Sequence, residues 1–442
     1  MRTVRVDAQK ETFQLRLASL TERRDANQPV PMPVMADSSR SPLPNQPTDL
    51  RWDPFDRSLH AEPYAVWKRM RDEAPVYYNA EHDFYALSRF DDVMTASLDT
   101  ESFSSAHGIL LDVISEEPLA APQPMIMMDP PDHTCLRKMV NRTFFRSRVA
   151  GLEDHIRELC KGYLDQYVGT DGFDYVQNFS AKLPVMVISS LLGFPEEDHD
   201  NLREWTDAQL HRDEGSTELS AEGMQASANL FAYYHQQIEL RRHQSRADIV
   251  SDLMNADLVL PEAGSRRLDD GELLMFVAMI NVAGNETVAR LLGWAALTLA
   301  RHPEQRAKLV ADPGLIGGAV EELLRYDAPS PVQGRFTLRD TTFHGVVVPA
   351  GGKVALLTGA AGRDERQYEN ADVFDVERTG IRHVSFGHGA HFCLGAALAR
   401  LEARVALEET LARFPTWDVD EDAVEYVHTN SVRGPAKVPV GL

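Results

Sequence analysis

The segment HVSFGHGAHFCLGAALARLEARVAL, from His383 to Leu407, contains the pattern that decides the fold. The spacing F-x-x-G-x-x-x-C-x-G is formed by Phe386, Gly389, Cys393 and Gly395. A chain of this composition contains such a match by chance at a rate of roughly one in a few thousand. Because glycine permits backbone turns that other residues resist, Gly387 and Gly389 predict a tight turn. The Ala-, Leu- and Arg-rich run that follows predicts a helix beginning beside the cysteine.

The start of that helix would favour a thiolate at Cys393, because free backbone N–H groups and the positive helix end lie there. Gly395 would let a large flat ligand approach the backbone. A thiolate held in this way suits the axial position of haem iron. Two other interpretations exist: an inert buried thiol, or a zinc site with His388 and His391. The zinc spacing is not a standard one, and no fourth ligand is evident.

Composition limits the class of protein. The 442 residues are 43% hydrophobic and 25% charged, which excludes wholesale disorder. With 45 basic and 67 acidic residues the formal charge is −22, so nucleic acid and anionic membranes are poor bulk partners. The start of the chain lacks an apolar signal core, and no apolar run is long enough to span a bilayer. We expect a cytoplasmic protein without a membrane span.

The three cysteines are widely spaced, which does not make a disulfide framework and suits a reducing compartment. Cys160 lies on the apolar face of a predicted helix, LEDHIRELCKGYLDQYV, and is expected to be inert core. Cys135 receives no function.

Residues 1–48 are predicted to form a flexible leader rich in Pro and Ser, and Met35 is an alternative start. Residues 49–442 are predicted to form one domain in which helices outnumber strands. Helices are expected at about 181–193, 197–212, 221–244, 269–300, 303–310 and 314–326, and after Cys393. A hairpin is expected in VYYNAEHDFYALSR, and short strands after residue 330 and at 424–442.

The cysteine segment resembles the haem-binding loop of the cytochrome P450 superfamily in its soluble bacterial form. The resemblance extends over nearly the whole chain from about residue 50. It implies a mainly α fold with small β-sheets: a single-domain, triangular, helix-rich prism with haem b between a long central helix and the cysteine-loop helix. Phe386, Gly387, Gly395 and Cys393 would then contact the haem, with Cys393 as the axial ligand of the iron.

The long apolar helix after Asp269 breaks two rules of helix stability. Gly284 costs about 1 kcal/mol relative to alanine, and Glu286 places a carboxylate among apolar neighbours. Such local violations favour a functional site. The run AGNET, Ala283 to Thr287, is similar to the oxygen-binding groove of the family.

The resemblance gives this run its roles. Ala283 and Gly284 would leave room for dioxygen, and Thr287 and Glu286 would guide protons. The plain alternative is a threonine bonded to its own i−4 carbonyl and a glutamate at a helix surface.

Two further residue sets follow from the resemblance. Glu322 and Arg325, spaced i,i+3, would be joined by Arg378 in a buried triad that holds the cysteine loop in shape. The anionic haem propionates would be contacted by His133, Arg137, Arg335 and His391. On residues alone, an E-x-x-R pair is usually a surface salt bridge.

The implied activity is that of a haem-thiolate monooxygenase. It would take dioxygen and two electrons from NAD(P)H, which reach the haem through a ferredoxin and its reductase, and would oxidise a lipophilic small molecule. The basic residues between Arg137 and Arg148 are a candidate ferredoxin patch or an ordinary solvated face. By the resemblance, the segment 105–127 would line the substrate pocket, and its apolar residues suggest a lipophilic substrate. The alternatives are a peroxide-driven peroxygenase and a non-catalytic haem sensor. A monomer is expected.

Overall fold

A computed structural model describes residues 43, 46–56, 58–120, 122–143, 149–210, 220–261, 264–427 and 431–442. Most of the predicted leader lies outside these residues, so the boundary at residue 48 stays a prediction. Arg146 and Arg148 of the predicted basic run also lie outside them, as does Thr429, which the resemblance places near the substrate pocket.

Helices dominate the described residues. The α-helices are α1 Ser58–Ala61, α2 Tyr64–Glu73, α3 Phe90–Leu98, α4 Asp132–Thr143, α5 Glu153–Leu164, α6 Lys182–Leu192, α7 His199–Leu210, α8 Ala221–His243, α9 Ile249–Asn255, α10 Asp270–Arg301, α11 Pro303–Ala311, α12 Ile316–Tyr326, α13 Thr358–Ala361 and α14 Ala396–Arg413.

The strands are short. They are β1 Val76–Asn79, β2 Phe84–Leu87, β3 Phe103–Ser104, β4 Gly172–Asp174, β5 Leu258–Leu260, β6 Gly264–Arg266, β7 Gln333–Thr337, β8 Thr341–Phe343, β9 Val346–Val348, β10 Lys353–Leu356, β11 Asp418–Val419, β12 Glu425–Tyr426, β13 Pro435–Lys437 and β14 Pro439–Gly441. The largest sheet has the order β1-β2-β10-β7-β3, with β2 and β10 parallel and its other pairs antiparallel. A three-stranded sheet, β11-β14-β4, is antiparallel.

Helix α10 is the central helix of the main hydrophobic core. It begins with a capping box, in which the Asp269 carboxylate accepts from the Glu272 N–H and the Glu272 side chain accepts from the Asp269 N–H. Its length and apolar composition would allow it to cross a membrane. However, most of its residues pack against other elements of the core, as expected of the buried helix of a globular protein.

The predicted fold class, mainly α with small β-sheets, is confirmed. The predicted long helices and the hairpin of β1 and β2 are present within a few residues of the expected bounds. Helices α3 and α9 and the hairpin of β5 and β6 were not predicted. All four are short, and short segments carry too few periods for a hydrophobic pattern to be distinctive.

A buried ion-pair triad joins α12 to the segment that precedes the cysteine loop. The Glu322 carboxylate lies 2.7 Å from the Arg325 guanidinium, and both side chains are fully buried. Arg378 Nε donates to Glu322 at 3.2 Å. Arg325 also donates to three backbone carbonyls, those of Gly362, Ala371 and Val373. Each charge is therefore paired and hydrogen-bonded, as buried charges require.

Neighbouring residues of α12 bind the cysteine segment directly. Glu321 accepts from Arg400 at 2.6 Å and lies 3.1 Å from His383 Nε2. The Ser385 hydroxyl donates to the Leu324 carbonyl. Helix α12 thus contacts both sides of the loop.

Replacing Glu322 by glutamine should destabilise the protein by about 3–5 kcal/mol, because Arg325 would be left buried without its counter-charge. The measurement is the urea concentration at half-unfolding. Glu73→Gln is the control, since its pair with Arg69 is exposed to solvent, which screens the two charges, and should therefore contribute little to stability. Equal midpoints for the two variants would contradict the structural importance of the triad.

Another buried carboxyl group, that of Glu402 on α14, has no ion-pair partner among the described residues. Glu402 is 1% exposed, and its Oε2 atom has no hydrogen-bond partner among the described residues. Burial raises the pKa of Glu402 to about 8. Cys160 on α5 is its fully buried neighbour, and burial raises the pKa of that thiol as well. The expectation that Cys160 is core is confirmed.

Glu402 should make the protein less stable as pH rises. Its native pKa exceeds its unfolded value, so the native state keeps a proton that the unfolded state loses between about pH 4.5 and 8. The contribution of Glu402 to the free energy of unfolding is therefore highest below about pH 4.5, and it decreases as the pH rises to about 8. Glu402→Gln should be more stable than the parent at pH 8, by on the order of 2–4 kcal/mol, and about equal at pH 4.5.

Urea unfolding at several pH values measures this difference. The control is Glu409→Gln on the same helix. Burial alone would raise the pKa of Glu409, but the ion pairs with Arg157 and Arg413 outweigh it and lower that pKa. Its difference from the parent should therefore not vary between pH 5 and 8. The account of Glu402 fails if its own difference is just as flat.

Candidate active site

The cysteine loop is a tight turn held by its backbone. Gly387 and Gly389 have φ angles of 67° and 71°, which residues with a side chain rarely adopt. A Cβ atom on Gly389 would also lie 2.7 Å from the carbonyl oxygen of Ser97. The Cys393 N–H donates to the Phe386 carbonyl at 2.8 Å. These constraints place Cys393 three residues before α14, as the sequence pattern predicts.

The sulfur of Cys393 lies at the positive end of α14. The backbone N–H groups of Gly395 and Ala396 lie close enough to act on it. Burial raises the pKa of the Cys393 thiol, and these N–H groups, with Arg137 and Arg400, act in the opposite direction. The protein therefore supplies the donors that stabilise a thiolate, while a metal cation would supply the remaining charge compensation.

Two histidines beside the loop have ring nitrogens without partners. His133 is 1% exposed, and neither of its ring nitrogens has a hydrogen-bond partner among the described residues. The same holds for Nε2 of His391, whose ring lies 4.2 Å from that of His133. Burial lowers the pKa of His133 to about 4 and that of His391 to about 3. Buried polar atoms of this kind indicate a ligand or water.

Two arginines belong to the same cluster. Arg335 is buried, which lowers its pKa to about 10, and its Nη1 donates to the carbonyl of the adjacent Gly334. Arg137 Nη2 donates to the Phe392 carbonyl at 2.6 Å. Both arginines act electrostatically on His391. The four predicted propionate ligands are therefore brought together.

This cluster lacks an anion within the described part of the chain. Asp129 acts electrostatically on Arg335 and His133, but its carboxylate is bonded to the Ser104 hydroxyl and the Ser105 N–H. Buried donors without acceptors are costly, so a ligand with carboxylates would complete the cluster. Open space also exists at Gly395, where a Cβ atom would contact nothing within 4 Å. The residues present therefore fit haem, with its flat ring and two propionates.

The AGNET run lies in the middle of α10. Ala283 is exposed although most of the helix is buried, which indicates open space beside it. The Thr287 hydroxyl donates to the Ala283 carbonyl at 2.9 Å. Glu286 is not at an open surface, since it is largely buried and pairs with Arg290 at 2.8 Å. The threonine is thus bonded to its own i−4 carbonyl, as the plain alternative expected. The expectation of a glutamate at a helix surface is wrong.

Gly284 lies where helix α10 packs against helix α6. A Cβ atom on Gly284 would lie 2.5 Å from Cδ1 of Ile188 on α6. The absence of a side chain here allows α6 and α10 to pack closely, and this accounts for the glycine without a ligand. The expected role of Gly284 beside dioxygen stays a prediction, and Ala283 on the same run is exposed.

The predicted substrate segment is only partly free. Leu111, Ile114 and Met125 are core residues, whereas Val113 and Ile126 are exposed. The basic run is described only at its beginning, at Arg137 and Lys138, because the side chains of 142–148 lie outside the described residues.

Arg290 was missed by the sequence analysis. Its i,i+4 spacing from Glu286 was a signal that could have identified it. Glu321, which binds the loop through His383 and Arg400, was also missed, because pairs distant in sequence leave no local pattern.

Comparisons with known proteins agree with this geometry. The family model described as Cytochrome P450 matches residues 215–312 and 315–436. A vitamin D(3) 25-hydroxylase from Pseudonocardia autotrophica is 37% identical over 397 residues, covering 88% of this chain and 96% of that protein.

Two solved structures are also similar. The bacillaene polyketide synthase cytochrome P450 PksS of Bacillus subtilis 168 has a TM-score of 0.79 and 32% identity, covering 89% of this chain and 100% of that one. CYP109E1 from Bacillus megaterium, in complex with testosterone, has a TM-score of 0.77 and 28% identity, covering 87% and 99%. With its cysteine loop and central helix, the chain belongs to the cytochrome P450 family of haem-binding monooxygenases.

Proposed function

We propose that this protein uses Cys393 as the axial ligand of haem iron and inserts one oxygen atom of dioxygen into a lipophilic small molecule, by hydroxylation or epoxidation. The observation that carries the proposal is the cluster of buried donors without an anion beside the cysteine loop. Haem, when bound, supplies the reduction and activation of dioxygen. The other atom of dioxygen leaves as water.

The protein's own groups would hold the cofactor at three places. His133, Arg137, Arg335 and His391 would donate to the propionates. Phe386 and Gly387 would shape the loop beneath the ring, and the Gly395 and Ala396 N–H groups would moderate the charge on the sulfur. Binding would provide acceptors for the orphaned ring nitrogens and so stabilise the folded protein.

Protons would be handled on the central helix. The Thr287 hydroxyl donates to Ala283 and keeps its oxygen lone pairs free for a water molecule. Glu286 is a carboxylate one residue earlier in the sequence and is the candidate group that carries protons towards that water. Ala283 would leave room for dioxygen.

The substrate class is supported by relatives. A vitamin D(3) 25-hydroxylase and a polyketide biosynthesis enzyme are among them, and CYP109E1 binds testosterone. All three names point to large lipophilic molecules, and the apolar side chains at 105–127 suit such a ligand. We therefore propose a terpenoid, steroid, fatty acid or polyketide as substrate.

Electrons would come from NAD(P)H through a separate ferredoxin and its reductase. Arg137 lies beside the cysteine loop, and the basic run that it begins suits an acidic partner protein. We propose a cytoplasmic monomer that does not bind nucleic acid. A peroxide-driven peroxygenase is disfavoured because both Glu286 and Thr287 are retained, and a haem sensor would not need them.

The purified protein should give a strongly red-shifted Soret band in its reduced carbon monoxide complex, because thiolate ligation changes the electronic structure of the haem. The shift should be lost in Cys393→Ala and kept in Cys135→Ala, the matched control. An unshifted band in the parent protein would reject the thiolate ligand.

Thr287→Ala should raise the hydrogen peroxide released per NADH consumed by about tenfold, since protons would no longer reach bound oxygen correctly. A surrogate ferredoxin and reductase can supply the electrons. Thr298→Ala, on the same helix but bonded to Asp327, is the control. If both variants resemble the parent, the proton role of Thr287 is wrong.

A further inference from the structure

Glu286 is held by an arginine on its own helix. Arg290 Nε donates to Glu286 Oε1 at 2.8 Å, and the side chains are only 9% and 11% exposed. A charge pair this far from solvent is weakly screened, so the carboxylate has a defined position. The Thr287 hydroxyl is bonded elsewhere, to the Ala283 carbonyl. Arg290 therefore decides where the Glu286 carboxylate lies.

Arg290 is itself fixed by the C-terminal segment. Its Nη1 donates to the Pro435 carbonyl at the start of β13. A Cβ atom on Gly434 would lie 2.6 Å from Cβ of Arg290, so the backbone at 434 lies directly against the arginine. One turn further along, Trp294 Nε1 donates to the Arg433 carbonyl at 3.0 Å. The helix face of Arg290 and Trp294 thus packs on residues 433–435, and Glu286 is joined to that segment through Arg290.

The geometry points to Arg290 as a positioning residue for proton delivery, linking the Glu286 carboxylate to the C-terminal segment 433–435. This inference rests on the proposed function of Glu286. A guanidinium suits this arrangement because its donors sit on separate nitrogens, so that Nε serves the carboxylate and Nη1 serves the carbonyl. A lysine offers a single ammonium group. Displacing segment 433–435 should therefore displace the acid.

Two variants approach this link from opposite sides. Arg290→Gln removes the charge on the helix, and Gly434→Ala forces the segment away from Arg290 without changing any polar group. Each should raise hydrogen peroxide per NADH by about twofold or more in the holoenzyme with a surrogate ferredoxin and reductase. Arg290→Lys should restore the parent ratio only in part. The assay runs without organic ligand and again with testosterone as probe, so it does not depend on the natural substrate.

The double variant with Glu286→Gln separates positioning from general damage. If Arg290 acts through Glu286, then Arg290→Gln adds no further change once Glu286 is gone. A crystal structure of the Gly434→Ala holoenzyme should show Arg290 moved from the Pro435 carbonyl. Arg413→Gln is the matched control, since Arg413 forms a similarly buried i,i+4 pair with Glu409 on α14.

The outcomes distinguish this inference from the proposed function. If Glu286→Gln changes the peroxide ratio but neither Arg290→Gln nor Gly434→Ala does, the positioning role is overturned and the function stands. Effects that add fully in the double variant also overturn it. If Glu286→Gln itself has no effect, the proton role of the acid fails, and the role of Arg290 fails with it.

Discussion

The backbone hydrogen bonds of the cysteine loop, which place Cys393 just before α14, are the constraint on which the site depends. They require the turn at Gly387 and Gly389, and neighbouring elements must support that turn. Helix α12 gives this support through Glu321, the Leu324 carbonyl and the ion-pair triad. The buried pair of Glu322 and Arg325 therefore helps to fix the segment that leads into this loop.

The charge distribution around this loop opposes that of the whole chain. The protein carries a formal charge of −22, yet four cationic or neutral donors converge beside the cysteine, and no anion pairs with them within the described residues. Concentrating such donors is unfavourable for folding alone. Under the proposed function, the two propionates of haem would provide the missing acceptors and offset this cost.

Sequence periodicity and the two motifs were enough to predict the long helices and the cysteine loop, whereas the residues of the donor cluster followed from the family resemblance. They were not enough where a contact joins distant parts of the chain. No local pattern around Gly284 predicts its close approach to Ile188, and none around Arg290 predicts its bond to the Pro435 carbonyl. Such pairs form only when helices and strands pack. The burial of Glu402, whose Oε2 atom has no hydrogen-bond partner among the described residues, could not be predicted from the sequence either, because it depends on how the elements pack.

X-ray absorption at the iron edge of the purified protein tests the central claim most directly, because it identifies the atoms bound to the metal. We expect one sulfur in the first coordination shell, replaced by a lighter atom in Cys393→Ser. A shell without sulfur in the parent protein, or a sulfur that persists in the variant, would contradict the assignment of Cys393 as the ligand.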